Sequence, residues 1–443
     1  MLQKINSLVT AGALLLLTVG GPQSARADTV GPINFESPTY TIGTINGQDG
    51  WSSLGAAGSG CALYDHAVAS TSAYWAVPGF GGQTLRISNA VTSGCFGDQT
   101  FSKSLLDEAG ESSAISGGLS GGTRQSRFEA SWEFASAVPG AEQPKLAFTA
   151  SPDRGDGARM SWIQMADTPG GLDVNFYDYQ DVAPYGSVGN PSDGCIIGSD
   201  AFVFTAVATG LARNVKHSVR VVMDFVDGQR NDVVRVYVDG VLKHTGTSWE
   251  DYFRFCEGNP TRTVDSILFR TSGTAAPANA GKGFLIDNLS MASYTPAKTA
   301  KLMIRASLAG MLPTGDKKTD ESINKAISAI EDSLAPDLWN GASWLTQKGQ
   351  KVFENEKKAV SELQKITTPA PGIVSAISGL VTVDRNLAVT AIADAGPAGA
   401  DPQDIAKANQ NLAEGDAKAL AGDFDTAIES YKNAWQFASK WMN

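Results

Sequence analysis

The chain has 443 residues, 46 of them acidic and 35 basic, for a formal net charge of −11. That length holds two or three domains, each able to bury a core. An acidic balance without a basic cluster argues against nucleic acid and anionic lipid as partners and is compatible with neutral glycans or with cations.

Residues 1–27 read as an export signal. Lys4 is followed by an apolar stretch from Leu8 to Val19, with Leu14 to Leu17 at its centre. Gly20, Gly21 and Pro22 end it, and Ala25-Arg26-Ala27 offers small residues at the two positions a signal peptidase reads. The run is shorter than the ~20 apolar residues of a membrane span. The expectation is a mature chain from Asp28, without a membrane span, secreted or at the cell surface. Four cysteines, Cys61, Cys95, Cys195 and Cys256, suggest two disulfides in such a compartment. Of the three possible connectivities, the nearest-neighbour one is Cys61–Cys95 with Cys195–Cys256. No C-x-x-C spacing occurs, and three histidines make transition-metal binding a poor fit.

The grammar changes near Pro296: only ten of the 47 glycines, and no cysteine, lie beyond residue 298. Residues 28–296 therefore read as one domain, 297–317 as a linker and 318–443 as another. Period-two alternation marks strands in the first. Phe128, Ala130, Trp132 and Phe134 point one way, against Arg127, Glu129, Ser131 and Glu133. The same holds for Leu172, Val174 and Phe176 against Asp173, Asn175 and Tyr177. It holds for Val219, Val221 and Met223 against Arg220 and Asp224, and for Val234, Val236 and Val238 against Arg235 and Tyr237. Asp227-Gly228 and Asp239-Gly240 are turn signals. Many short strands predict an antiparallel two-sheet β-sandwich. Beyond it, helical spacing predicts five helices: 321–334, with Thr319 or Asp320 as N-cap, then 344–366, 373–393, 404–420 and 423–442. Together they predict a small all-α bundle.

The run DFVDGQRNDVVRVYVDGVLKHTGTSWEDYFR, the closing FLIDNLSM and the opening NFESPTYTIGTINGQDGW resemble strands of the secreted bacterial concanavalin A-like (laminin-G-like) jelly rolls. KAISAIEDSL, SWLTQKGQKVFENEKKAVSEL and AIESYKNAW resemble the helical FIMAH-type domain. Gly415, Ala421 to Phe424, Ala427, Tyr431 and Ala434 follow the order of one tetratricopeptide hairpin, though a solenoid takes about three or more copies. The resemblance implies a jelly roll followed by an accessory helical module.

It also implies a hydrolase possibility. Concanavalin A-like glycoside hydrolases carry E-x-D-x-E or E-x-D-x-x-E on a strand. Carried over, Glu129 would be the nucleophile and Glu133 the acid, with Ser131 where the family has Asp. Retaining chemistry wants carboxyls about 5–5.5 Å apart, and the missing Asp removes a neighbour that splits their pKa values. Jelly rolls of this class also hold calcium on loop carboxylates; Asp153, Asp156, Asp167, Asp178 and Asp181 are the candidates, without EF-hand spacing. If the polar strand sides share one surface, Arg127, Glu129, Asn175, Tyr177, Arg220, Asp224, Arg235 and Tyr237 would line a binding face, with Trp51, Trp75 and Trp249 contributing from loops. No G-x-S-x-G and no H-E-x-x-H occurs. The expectation is a secreted, non-catalytic protein binding an extracellular polysaccharide or surface glycan through the sandwich. The alternatives are a glycoside hydrolase or lyase using Glu129 and Glu133, and a structural or adhesive surface protein.

Overall fold

The structure, a computed structural model, describes residues 28–53, 64–92, 98–105, 111–113, 119–121, 127–155, 157–180, 202–226, 231–257, 264–271, 274–396 and 399–440. Residues 1–27, expected as an export signal, and Cys61, Cys95, Cys195, Asp156 and Asp181 lie outside these. Cys256 is the one cysteine within them, so the pairing of the four stays an expectation.

The described strands are β1 (Asp28–Ile33), β2 (Gly43–Thr44), β3 (Asp65–Ser70), β4 (Gln83–Ser88), β5 (Gln99–Phe101), β6 (Glu111–Ser113), β7 (Leu119–Gly121), β8 (Arg127–Ser136) and β9 (Ala147–Asp153). They continue with β10 (Trp162–Thr168), β11 (Gly171–Tyr179), β12 (Phe202–Leu211), β13 (His217–Asp224), β14 (Val233–Val238), β15 (Val241–Gly246), β16 (Ser266–Thr271) and β17 (Phe284–Tyr294). One sheet has nine strands in the order β15-β14-β13-β8-β17-β4-β3-β2, with β1 also on β17. The other has six, β12-β11-β10-β9-β16-β5, and β6 pairs with β7. All pairings are antiparallel. The chain thus forms the expected jelly-roll sandwich. Its core is made by the predicted inward positions: Phe128, Trp132 and Phe134 of β8, Val174 and Phe176 of β11, Val219 and Val221 of β13, and Phe284 and Ile286 of β17. Alternation places every second residue of each strand between the sheets, where apolar burial supplies the stabilisation.

After a one-turn helix, α1 (Glu250–Tyr252), the remaining helices are α2 (Ala297–Ala309), α3 (Lys317–Ser333), α4 (Gln350–Gln364), α5 (Pro371–Ala395), α6 (Pro402–Leu420) and α7 (Phe424–Ala438). Residues 297–317, expected as a linker, mostly form α2, whose Ala300, Lys301 and Leu308 are buried in the bundle. Only Thr295 and Pro296 separate it from β17. The cap of α3 is Asp316, which accepts the Thr319 N–H, so the helix starts earlier than Thr319 or Asp320 would allow. The helix expected from Trp344 begins at Gln350, leaving Trp344 in a loop. α5 is long and apolar enough to cross a membrane by length and composition, yet it packs against α2, α4, α6 and α7, with over half of its most apolar stretch buried.

Candidate ligand-binding face

The eight residues expected on one surface are divided between the two sheets. Arg127, Glu129, Arg220, Asp224, Arg235 and Tyr237 lie on β8, β13 and β14 of the nine-stranded sheet, whereas Asn175 and Tyr177 lie on β11 of the six-stranded sheet. Alternation fixes which side of its own strand a residue takes; it carries no information on which sheet the strand joins.

The first six form a closed network beneath the helical bundle. Arg127 is fully buried: its Nη1 donates to Asp224 at 2.9 Å and its Nε to the Tyr294 hydroxyl at 2.6 Å. Tyr294 in turn donates to Glu129 at 2.9 Å, and Arg220 Nε donates to the same carboxylate. Arg235 donates to the other oxygen of Asp224 at 2.9 Å. The bundle completes the network. Asp394 of α5 accepts from Arg220 at 2.5 Å and from the indole N–H of Trp344 at 2.7 Å. The Trp344 ring takes the guanidiniums of Arg127 and Arg235 at 4.3 and 4.1 Å from its centroid. Burial works to raise the Glu129 pKa, but the Arg220 and Arg127 charges overcome it and hold the carboxyl below its usual range. Glu129 is therefore an ionised group within the sandwich that holds Arg220, which in turn reaches Asp394 of the bundle.

Glu133, four residues along β8, has different company. It accepts from Lys216 at 2.7 Å and from the Asn288 amide at 2.8 Å, and across the ladder it stands opposite Asp287. The two glutamates named for hydrolysis are thus each tied to separate partners. Asp287 is 1% exposed, with Gly81 N–H on one oxygen and Asn288 N–H on the other. Burial pushes it up to about 7, and Glu36 and Glu133 add to the rise. A folded-state value above the unfolded one means that its stabilising contribution is complete at low pH and is lost as pH rises through about 7. His217 has the same sign: burial lowers it, but the hydrogen bonds to Asp239 and to the Ala212 carbonyl together with the Asp239 charge raise it overall. Relative to Asp287→Asn, the wild-type sandwich is expected to lose melting temperature between about pH 4 and about pH 7; His66, held down at about 4 by burial, has the opposite trend but is common to both proteins. Equal slopes in thermal melts of the two proteins would remove Asp287 as a cause.

The outer face of the six-stranded sheet carries a different arrangement. Trp162 of β10 stands opposite Tyr177 of β11, and Tyr177 opposite Phe204 of β12. Their rings form a ladder across three strands, with centroids 5.4 Å apart at both steps. Trp249 flanks Trp162 at 5.8 Å and is fixed by its N–H on the Tyr177 carbonyl at 2.8 Å. One register step along the same face runs a polar row: Arg270, Thr149, Gln164 and Asn175 are successive cross-strand partners, with Gln99 beyond Arg270. The Asn175 amide donates to Gln164 at 3.2 Å. Phe204 is 54% exposed and Trp162 and Tyr177 are half-buried, so the aromatic ladder meets solvent. The Trp162 indole N–H finds no acceptor among the described residues. Neither row contains a carboxyl group.

The sequence reading found Asn175 and Tyr177 and named Trp249, but missed Trp162, Gln164 and Phe204. The alternation of Trp162, Gln164 and Ala166 against Ile163 and Met165 was available as a signal. Trp51 is a core residue packed on Phe269, and Trp75 covers the other sheet, bonded to the Ser136 carbonyl. Of the five calcium candidates, Asp153, Asp167 and Asp178 are described. Asp153 accepts from the Gly155 and Gly157 N–H groups, Asp167 from Arg213 and the Gln143 N–H, and Asp178 from the Thr247 N–H beside His244. Asp153 staples its own turn, whereas Asp167 and Asp178 tie their strands to distant segments, and among the described residues no three His, Cys, Asp or Glu side chains gather to hold a metal.

No protein-family model and no curated protein matches the chain. Among solved structures, it is similar to the endo-1,3-β-glucanase of Streptomyces sioyaensis at 14% identity, over 65% of this chain and 100% of that one, with a TM-score of 0.33. β-Agarase A of Zobellia galactanivorans matches at 12% identity, over 57% and 81% of the two chains, with a TM-score of 0.26.

Proposed function

We propose that this is an exported glycan-binding protein that holds a polysaccharide on the outer face of its six-stranded sheet. The observation that carries the reading is the solvent-facing ladder Trp162–Tyr177–Phe204 with partly exposed Gln164 beside it, in a row whose Arg270, Thr149 and Asn175 are buried. A sugar ring offers an apolar C–H face and equatorial hydroxyls. Flat aromatic rings meet the first and amide or hydroxyl groups the second, the usual mix of a small-ligand site. The acidic chain disfavours polyanions, which leaves neutral glycans. The signal-like residues 1–27 support a glycan outside the cytoplasm.

Binding is read as non-catalytic. The two rows lack a carboxylate pair, and on the opposite sheet Glu129 is engaged by Arg220 and Tyr294. In a screen of neutral polysaccharides, the mature protein is expected to bind at least one and to leave it uncleaved. Trp162→Ala is expected to weaken that binding at least about tenfold, equivalent to roughly 1.4 kcal/mol. Silence across a broad panel would sink the reading in favour of a structural or adhesive role. Release of shortened oligosaccharides would instead revive the hydrolase reading.

A further inference from the structure

In the centre of the helical bundle, three ionisable side chains from three helices meet without access to water. Lys301 of α2, Glu356 of α4 and Asp384 of α5 are each 0% exposed. The Lys301 ammonium lies 2.6 Å from Glu356 and 4.0 Å from Asp384. The remaining contacts are few. The Ser333 hydroxyl of α3 donates to Glu356 at 3.3 Å, and the Trp339 ring lies 4.7 Å from the Lys301 ammonium. From α7, Tyr431 faces the site while donating to Asp416 of α6, which pairs with Arg385.

Fully ionised, the triad would bury one uncompensated negative charge, and isolated charge is strongly disfavoured in such a medium. One cation can balance one carboxylate. The second is neutral only if it carries a proton, and a proton between Glu356 and Asp384 is also what lets two carboxyl groups share a site. In keeping with this, burial, and next to it Glu356, push the Asp384 carboxyl well above the usual range.

We propose that Lys301, Glu356 and Asp384 form a buried one-proton site that makes the packing of the helical bundle acid-favoured. The site sits where α2, α4 and α5 meet. α5 also carries Asp394, so the proton bears on the helix that seats the bundle against the nine-stranded sheet. The sign follows from the folded carboxyl binding its proton more tightly than the unfolded one. Stability is greatest at low pH and declines as pH rises through the folded-state value. Carboxylates held low by ion pairs in the same bundle, Asp416 and Glu429 among them, have the opposite trend, with stability lost towards acid. The comparison with a variant is therefore what isolates the triad.

The test is helix melting of the mature protein, followed by far-ultraviolet circular dichroism from about pH 4 to about pH 9, with Asp384→Asn alongside. Asparagine mimics the protonated carboxyl but cannot lose the proton. Wild type is expected to lose about 3 to 5 °C per pH unit relative to the variant across the titration. Parallel profiles overturn the proposal. Should the variant fail to fold, infrared spectra of the protein with the triad intact decide. In the Asp287→Asn background, which removes the other carboxyl held up near neutral pH, a protonated-carboxyl band surviving at neutral pH and lost on alkaline loosening of the helices supports the site, and its absence at neutral pH overturns it.

Discussion

Lys301→Met is expected to cost the helical bundle about 3–5 kcal/mol in urea denaturation at neutral pH. Methionine preserves most of the side-chain volume and packing but removes the charge, leaving Glu356 and Asp384 together in a water-free core. Breaking such a cluster from one side is the expensive change; replacing all of it is not. A triple replacement of Lys301, Glu356 and Asp384 by apolar residues of similar size is expected to recover most of the loss. Lowering the pH is expected to rescue the single variant partly, since both acids can then be neutral. A Lys301→Met bundle within about 1 kcal/mol of wild type would show that the ion pair is dispensable.

Trp344→Ala is expected to cost about 2–4 kcal/mol and to separate the melting of the sandwich from that of the bundle. The indole ring packs on two guanidiniums and is hydrogen-bonded to Asp394, which also takes Arg220. One side chain thus joins three arginines of the sheet to the central helix of the bundle. Cation–π contacts out of water are each worth about 2 kcal/mol or more, so the ring outweighs ordinary surface contacts there. The measurement is differential scanning calorimetry: one transition in wild type, two in the variant. A single unshifted transition would place the coupling of the units elsewhere.

Much of the sandwich was legible because a strand with one buried side writes its alternation into the sequence. Phe128, Trp132 and Val219 were assigned to the core on that basis and are there. The helices after residue 318 were legible through their apolar faces, with errors at their starts where local hydrogen bonding decides, as at Asp316. α2 was hidden because its inner face includes Lys301, which reads as solvent-exposed until Glu356 is brought beside it. The candidate site was half legible. Tyr177 and Asn175 were found, but their partners Trp162, Gln164 and Phe204 come from other strands, and cross-strand register is a long-range property. The same limit put Arg220 and Arg235 on a supposedly open face. Nothing local to β13 or β14 announces that Trp344, more than a hundred residues later, will cover them.

The two-residue join between β17 and α2 has a mechanical consequence. β17 lies inside the nine-stranded sheet, bonded to β8 on one side and to β4 and β1 on the other. A load applied at the C-terminal end reaches the sandwich through α2 and then along the axis of that strand. Pulling a strand lengthwise past its neighbours strains many ladder hydrogen bonds at once, whereas peeling an edge strand opens them one by one. The bundle is therefore attached at one of the places where the sandwich best resists being pulled apart, and a short stiff joint delivers the force there without slack.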